Sequence, residues 1–198
     1  MKKLIPLILL LGWGQVWAIP VMWTLDGVTL EEPVWDRDFT LTGELYYGAG
    51  VTGSFVYDAD TNIYSDVFIT TEEGNPPPFI FWIEQTYTED AFTFFGSPVR
   101  SASSDGVTLA KNYSCGFDFC DGILSLVYTS SLTNSGGTVA LDTSGVSKEH
   151  FVAAGGGFVA ERYIISGTLT GTVVPIPAAV WLFGSGLGLL GWMKRKRA

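Results

Sequence analysis

Several small groups of residues have the types and spacing to do chemistry. Asp58-x-Asp60-x-Asn62 begins like a calcium-binding loop. An EF-hand continues with a glycine at its sixth position and a bidentate carboxylate at its twelfth, and here Ile63 and Ile69 stand there. The segment therefore reads first as a hairpin turn, in which Asp and Asn accept local backbone bonds. Asp58, Asp60 and Asn62 stay a calcium candidate only in combination with another loop. His150 is the one histidine and could act as a base. No serine has the strand-turn-helix setting of a nucleophile elbow, so a Ser-His hydrolase is not expected. Glu31-Glu32, Glu72-Glu73 and Glu89-Asp90 raise the question of a glycosidase, whose acid and base flank a sugar. Neighbours on a strand point to opposite faces, so no such pair acts by itself. Cys115 and Cys120 are the only cysteines. In an exported chain they read as a local disulfide; a zinc site would need two further ligands that one histidine does not supply. No metal, cofactor or catalytic residue is expected.

The elements that must carry these residues are strands. Between the two ends of the chain, β-branched and aromatic residues fall in short runs divided by Gly, Asp, Asn and Pro, with no sustained helical period. The runs are 21–25, 39–47, 52–57, 63–70, 80–87, 91–95, 107–110, 123–128, 138–141 and 162–172. Their number and spacing predict an all-β domain, an antiparallel β-sandwich or jelly-roll-like ectodomain. Residues 74–78, Gly-Asn-Pro-Pro-Pro, forbid strand continuation. Aromatics gather at Phe79, Phe81, Trp82, Tyr87, Phe92, Phe94 and Phe95, with Trp23 and Trp35 near the start. Such rings can stack on sugars, but in a sandwich they are more often core.

Both ends are apolar with cationic flanks. Met1-Lys2-Lys3, an apolar run at 4–11 and Val16-Trp17-Ala18 form a signal peptide, with cleavage expected between Ala18 and Ile19. At the other end, Val174-Pro175-Ile176-Pro177-Ala178 leads into the apolar stretch 178–193 and the stop Lys194-Arg195-Lys196-Arg197. Sixteen residues make a helix of about 24 Å, short of a hydrocarbon core of about 30 Å. Trp181 and Trp192 sit near its two ends, and the four cations keep the C-terminus cytoplasmic. One transmembrane helix at 178–193 is expected. Residues 19–173 form the exported domain, with all twenty acidic residues of the chain and only Arg37, Arg100, Lys111, Lys148 and Arg162 against them, a formal charge of −15. A surface of that sign repels nucleic acid.

Taken in order, the motif at 174–178, the apolar span and the basic end resemble the VPLPA type of PEP-CTERM sorting signal. Ile176 replaces the usual leucine, and the Pro-Glu-Pro of the parent class is absent. Residues 53–65, around Asp58, also look like a strand-turn-strand signature of exported proteins bearing such tails. The resemblance implies export from a Gram-negative bacterium and an inner-membrane intermediate. It also implies recognition of residues 174–198 by an exosortase, a membrane protease or transpeptidase, in a system that makes extracellular polysaccharide. Signal peptidase and the exosortase are then the processing partners, and the cell surface or extracellular matrix is the destination. The expected function is that of a non-enzymatic surface or matrix protein. The alternatives are a carbohydrate-binding module that holds exopolysaccharide and a permanently anchored single-pass membrane protein.

Overall fold

A computed structural model describes residues 19–35, 41–74, 84–91, 93, 97–114, 119–153 and 159–174. Alternation sets the first strand. In β1 (Val21–Trp35), Val21, Trp23 and Leu25 are buried while Met22, Thr24 and Asp26 are exposed, as a half-buried strand of period two requires. An irregularity at Gly27, whose φ is +60°, shifts the parity, so that Val28, Leu30 and Glu32 now point inward. One extra residue in a strand has this effect.

The remaining strands are β2 (Leu41–Asp58), β3 (Ile63–Thr71), β4 (Gln85–Thr88), β5 (Val99–Ser103), β6 (Gly106–Ser114), β7 (Phe119–Val127), β8 (Gly137–Ala140), β9 (Lys148–Ala153) and β10 (Val159–Val173). All pairings are antiparallel and join into one sheet, in the order β4-β3-β2-β1-β10-β9-β7-β6-β5, with β8 also on β10. The antiparallel all-β class is therefore the one expected. Among the described residues there is no helix long and apolar enough to cross a membrane. The expected span at 178–193 lies outside the described residues.

Some elements differ from the sequence expectation. The break placed at 48–51 does not exist: β2 runs through it, aided by Gly48 at φ +137° and by a Glu72 carboxylate that takes the Gly50 N–H at 2.8 Å. β1 extends ten residues beyond the expected end at Leu25. β5 and β9 were not expected at all: β5 is Val-Arg-Ser-Ala-Ser, and β9 opens on the polar run Lys148-Glu149-His150. Ala91 and Thr93, within the run expected at 91–95, are not in a strand.

The long strands β1 and β10 form a spine. Trp23 lies opposite Gly171, where a Cβ would stand 2.8 Å from the indole; glycine leaves the space the ring fills. On one side of the spine hang β2, β3 and β4. On the other hang β8 and β9, which follow one another along β10, then β7, β6 and β5. The two wings fold over each other, bringing β4 onto β6 and β3 onto β5. The core lies between them, with Leu30, Phe55, Ile69, Leu109, Leu124, Leu126, Ile164 and Leu169 all at 1 % exposure or less.

Candidate functional site

The core contains a charged constellation drawn from five strands. On β9, Lys148 and His150 face outward while Glu149 and Phe151 face inward. The Glu149 carboxylate accepts from Arg162 Nε on β10 at 2.6 Å, from Tyr87 Oη on β4 at 2.5 Å and from Thr71 Oγ1 on β3 at 2.9 Å. Arg162 Nη1 also lies 3.7 Å from Glu32 Oε2 on β1. Glu32, Thr71, Tyr87, Glu149 and Arg162 are at most 1 % exposed. A carboxylate taken out of water is tolerable only when charge and hydrogen bonds replace its hydration. Glu149 has both. The group is sealed from solvent, so the two carboxylates that share Arg162 are in no position to reach a sugar as acid and base. Their arrangement pins one wing to the other.

At the opposite end of the interior the wings are joined by rings. Tyr64 lies 4.7 Å from Tyr57 and 5.1 Å from Phe55, centroid to centroid, and Phe55 stacks 6.5 Å from Tyr128. Tyr64 Oη donates to the Ser103 carbonyl at 2.7 Å. Burial pushes the Tyr64 and Tyr128 hydroxyls well above the ordinary tyrosine range, keeping both protonated.

Asp58, Asp60 and Asn62 form the turn between β2 and β3. Asp58 receives the Asp60 N–H at 3.0 Å, the Thr61 hydroxyl at 2.8 Å and the Asn134 amide at 3.4 Å. Desolvation raises its pKa, but these bonds outweigh it and hold the carboxyl below the usual range. Asn62 takes the left-handed conformation, φ 58°, that Asn tolerates. These are the bonds of a hairpin turn. Among the described residues no group of three or more His, Cys, Asp or Glu is placed to hold a metal.

His150 faces outward beside Lys148, which donates to Glu161 at 2.6 Å. Burial, then Lys148, lowers its pKa, so the ring is neutral at pH 7. Its Nδ1 is buried and meets no hydrogen-bond partner among the described residues. The local carboxylate pairs are dispersed. Glu31 is half-buried while Glu32 is sealed inside, Glu72 holds the Gly50 N–H, and Glu89 accepts the Val67 N–H at 2.8 Å. Cys120 is disulfide-bonded; the chain's other cysteine, Cys115, lies outside the described residues. Trp23 and Tyr87 are core, whereas Phe79, Phe81, Trp82, Phe92, Phe94 and Phe95 lie outside the described residues. So do Ala18, Pro175, Ile176, Pro177, Ala178, Lys194, Arg195, Lys196 and Arg197. Ile19 is half-buried, and the Val174 N–H donates to the Pro20 carbonyl at 3.1 Å.

The registers also line up an outward-facing surface that the sequence analysis missed. Thr88, Phe68, Ser54, Thr24, Thr170 and Thr138 stand opposite one another in a single row across β4, β3, β2, β1, β10 and β8. A second row holds Thr86, Thr70 and Thr52, and a third holds Ser65, Val56, Met22 and Thr172. Thr70 and Thr86 hydrogen-bond through their hydroxyls at 3.0 Å. The signal was present in Thr86-x-Thr88 and Thr168-x-Thr170-x-Thr172, since period two places such residues on one face. Compared with known proteins, the chain matches no family model, no curated protein and no solved structure.

Proposed function

We propose that this chain is a non-enzymatic surface or extracellular-matrix protein, exported from a Gram-negative bacterium and sorted by an exosortase through residues 174–198. The observation that carries the reading is the tail itself: Val174-Pro175-Ile176-Pro177-Ala178, an apolar run and four cations, in that order, directly after the last strand. Geometry supports it. β1 and β10 pair with Val21 opposite Val173, and Val174 bonds Pro20 just beyond. Both ends of the sheet therefore leave from one end of one ladder. Cleavage after Ala18 and processing beyond Val174 each leave every strand whole. We read the curled sheet as a sandwich or jelly-roll-like ectodomain, carried to the membrane by a helix at 178–193 and closed near residue 119 by a Cys115–Cys120 disulfide.

The test is replacement of Pro175 and Pro177 by alanine in the producing cell. The expected result is full-length chain accumulating in the inner membrane, detected by fractionation and intact mass. Unchanged processing and location overturn the sorting reading. Intact mass also separates it from permanent anchoring, because only processing removes Lys194-Arg195-Lys196-Arg197. A second reading, binding of exopolysaccharide, is favoured by the outward row that contains Phe68.

A further inference from the structure

The geometry points to the outer face of β4-β3-β2-β1-β10-β8 as the docking surface for a single extended chain of a neutral polysaccharide, lying along the row Thr88, Phe68, Ser54, Thr24, Thr170, Thr138. This deepens the exopolysaccharide reading by naming the surface and the charge class of the ligand.

The composition of the row selects a polyhydroxyl partner. Five of its six side chains are hydroxyls, each one donor and two acceptors, the same inventory that a sugar ring presents. The sixth, Phe68, is 60 % exposed. A large ring left in water on β3, one strand in from the sheet edge, is an informative exposure, and its flat surface suits the C–H face of a pyranose. Met22, 42 % exposed in the neighbouring row, extends the apolar strip.

Charge decides the class. The row along which the chain would lie holds no ionisable side chain, and the charge beside it, Asp26, exposed two residues from Thr24 on the same face of β1, is a carboxylate, on a domain whose formal charge is −15. An anionic polymer gains no counter-charge from the face and meets repulsion from the rest of the domain. A neutral chain meets neither penalty. Shape then decides between a chain and a crystalline surface. Six strands at about 4.8 Å make the row about 24 Å long, enough for a short oligosaccharide. Adjacent strands turn by about 20–25°, so a flat lattice loses register within a few strands, whereas one polymer chain follows the twist.

The experiment is affinity electrophoresis of the full chain in mild detergent, through gels containing hydroxyethylcellulose, dextran or galactomannan, with alginate as the anionic polymer. Retardation by at least one neutral polymer and none by alginate is expected. Phe68→Ala should weaken it about tenfold, and Thr24→Glu, which sets a charge in the centre of the row, should abolish it. Tyr47→Ala, outside the row, should change nothing. Unfolding midpoints of the variants verify that each is folded. No retardation by any neutral polymer, equal retardation by alginate, binding to microcrystalline cellulose alone, or indifference to both substitutions overturns the proposal. Processing and location of the Phe68→Ala chain in cells report on sorting separately, so loss of either property leaves the other legible.

Discussion

The two ends of the interior solve the same problem by different means. Tyr64 and Thr71 lie seven residues apart on β3, about 23 Å along the strand. At the Tyr64 end the wings meet through Phe55, Tyr57 and Tyr128, with one tyrosine hydroxyl reaching across to Ser103. At the Thr71 end they meet through Glu149, Arg162 and Glu32, with Tyr87 and Thr71 as hydrogen-bond donors. Ring packing is tolerant, because apolar area is buried whatever the detailed geometry. The charged end is not: a buried ion pair adds little net stability, yet losing one member strands its partner. One end therefore supplies stability and the other fixes how the wings align.

The largest expected effect breaks the charged end. Arg162→Met leaves Glu149 and Glu32 buried without their cation and should cost about 3–5 kcal/mol in urea unfolding of the purified protein. A loss no larger than about 1 kcal/mol would mean that the pin is not what aligns the wings. The next test sets the ends side by side. Tyr87→Phe removes a donor from a carboxylate and should cost about 1.5–3 kcal/mol, whereas Tyr64→Phe removes a donor from a neutral carbonyl and should cost about 1 kcal/mol. Equal costs would erase the contrast.

The smallest effects appear as pH dependence. His150, outward on the strand that carries Glu149, has a lowered folded-state pKa, so the unfolded chain binds its proton more readily. That contribution is complete above about pH 6.5 and is lost as pH falls below it. Asp58, at the tyrosine end, is also lowered, and its contribution is lost only as pH falls below about 4. Unfolding midpoints measured between pH 7.5 and 3 should lose their upper step in His150→Gln and part of their acid limb in Asp58→Asn.

Much of the sheet was legible because its inward positions are apolar. Val21, Trp23 and Leu25 announce β1, and Val107 with Leu109 announces β6. The charged end was hidden for the opposite reason. Lys148-Glu149-His150 reads as a polar loop, since the partner that makes Glu149 an inward residue, Arg162, is thirteen positions away on another strand. The carboxylates that do converge, Glu32 and Glu149, are neighbours only after β1, β10 and β9 are assembled. Adjacent pairs such as Glu31-Glu32 are visible at once yet part company, Glu31 half-buried and Glu32 sealed inside. Bulges also mislead: the shift at Gly27 inverts the parity of β1, so alternation read from Val21 onward stops making sense where the strand does not stop. The hydroxyl row was missed because its members become a line only through the registers of five strand pairs.

The spine has a consequence in time. β1 and β10 are the first and last of the described strands, and Met22 and Thr172, which face each other in the ladder, are 150 positions apart. The strands between them hang from a pairing that cannot form until β10 has been made. Long-range closure of this kind is slow, and until it occurs β1 and β9 each present an unpaired edge. Truncation anywhere before β10 removes the centre of the sheet instead of trimming its rim.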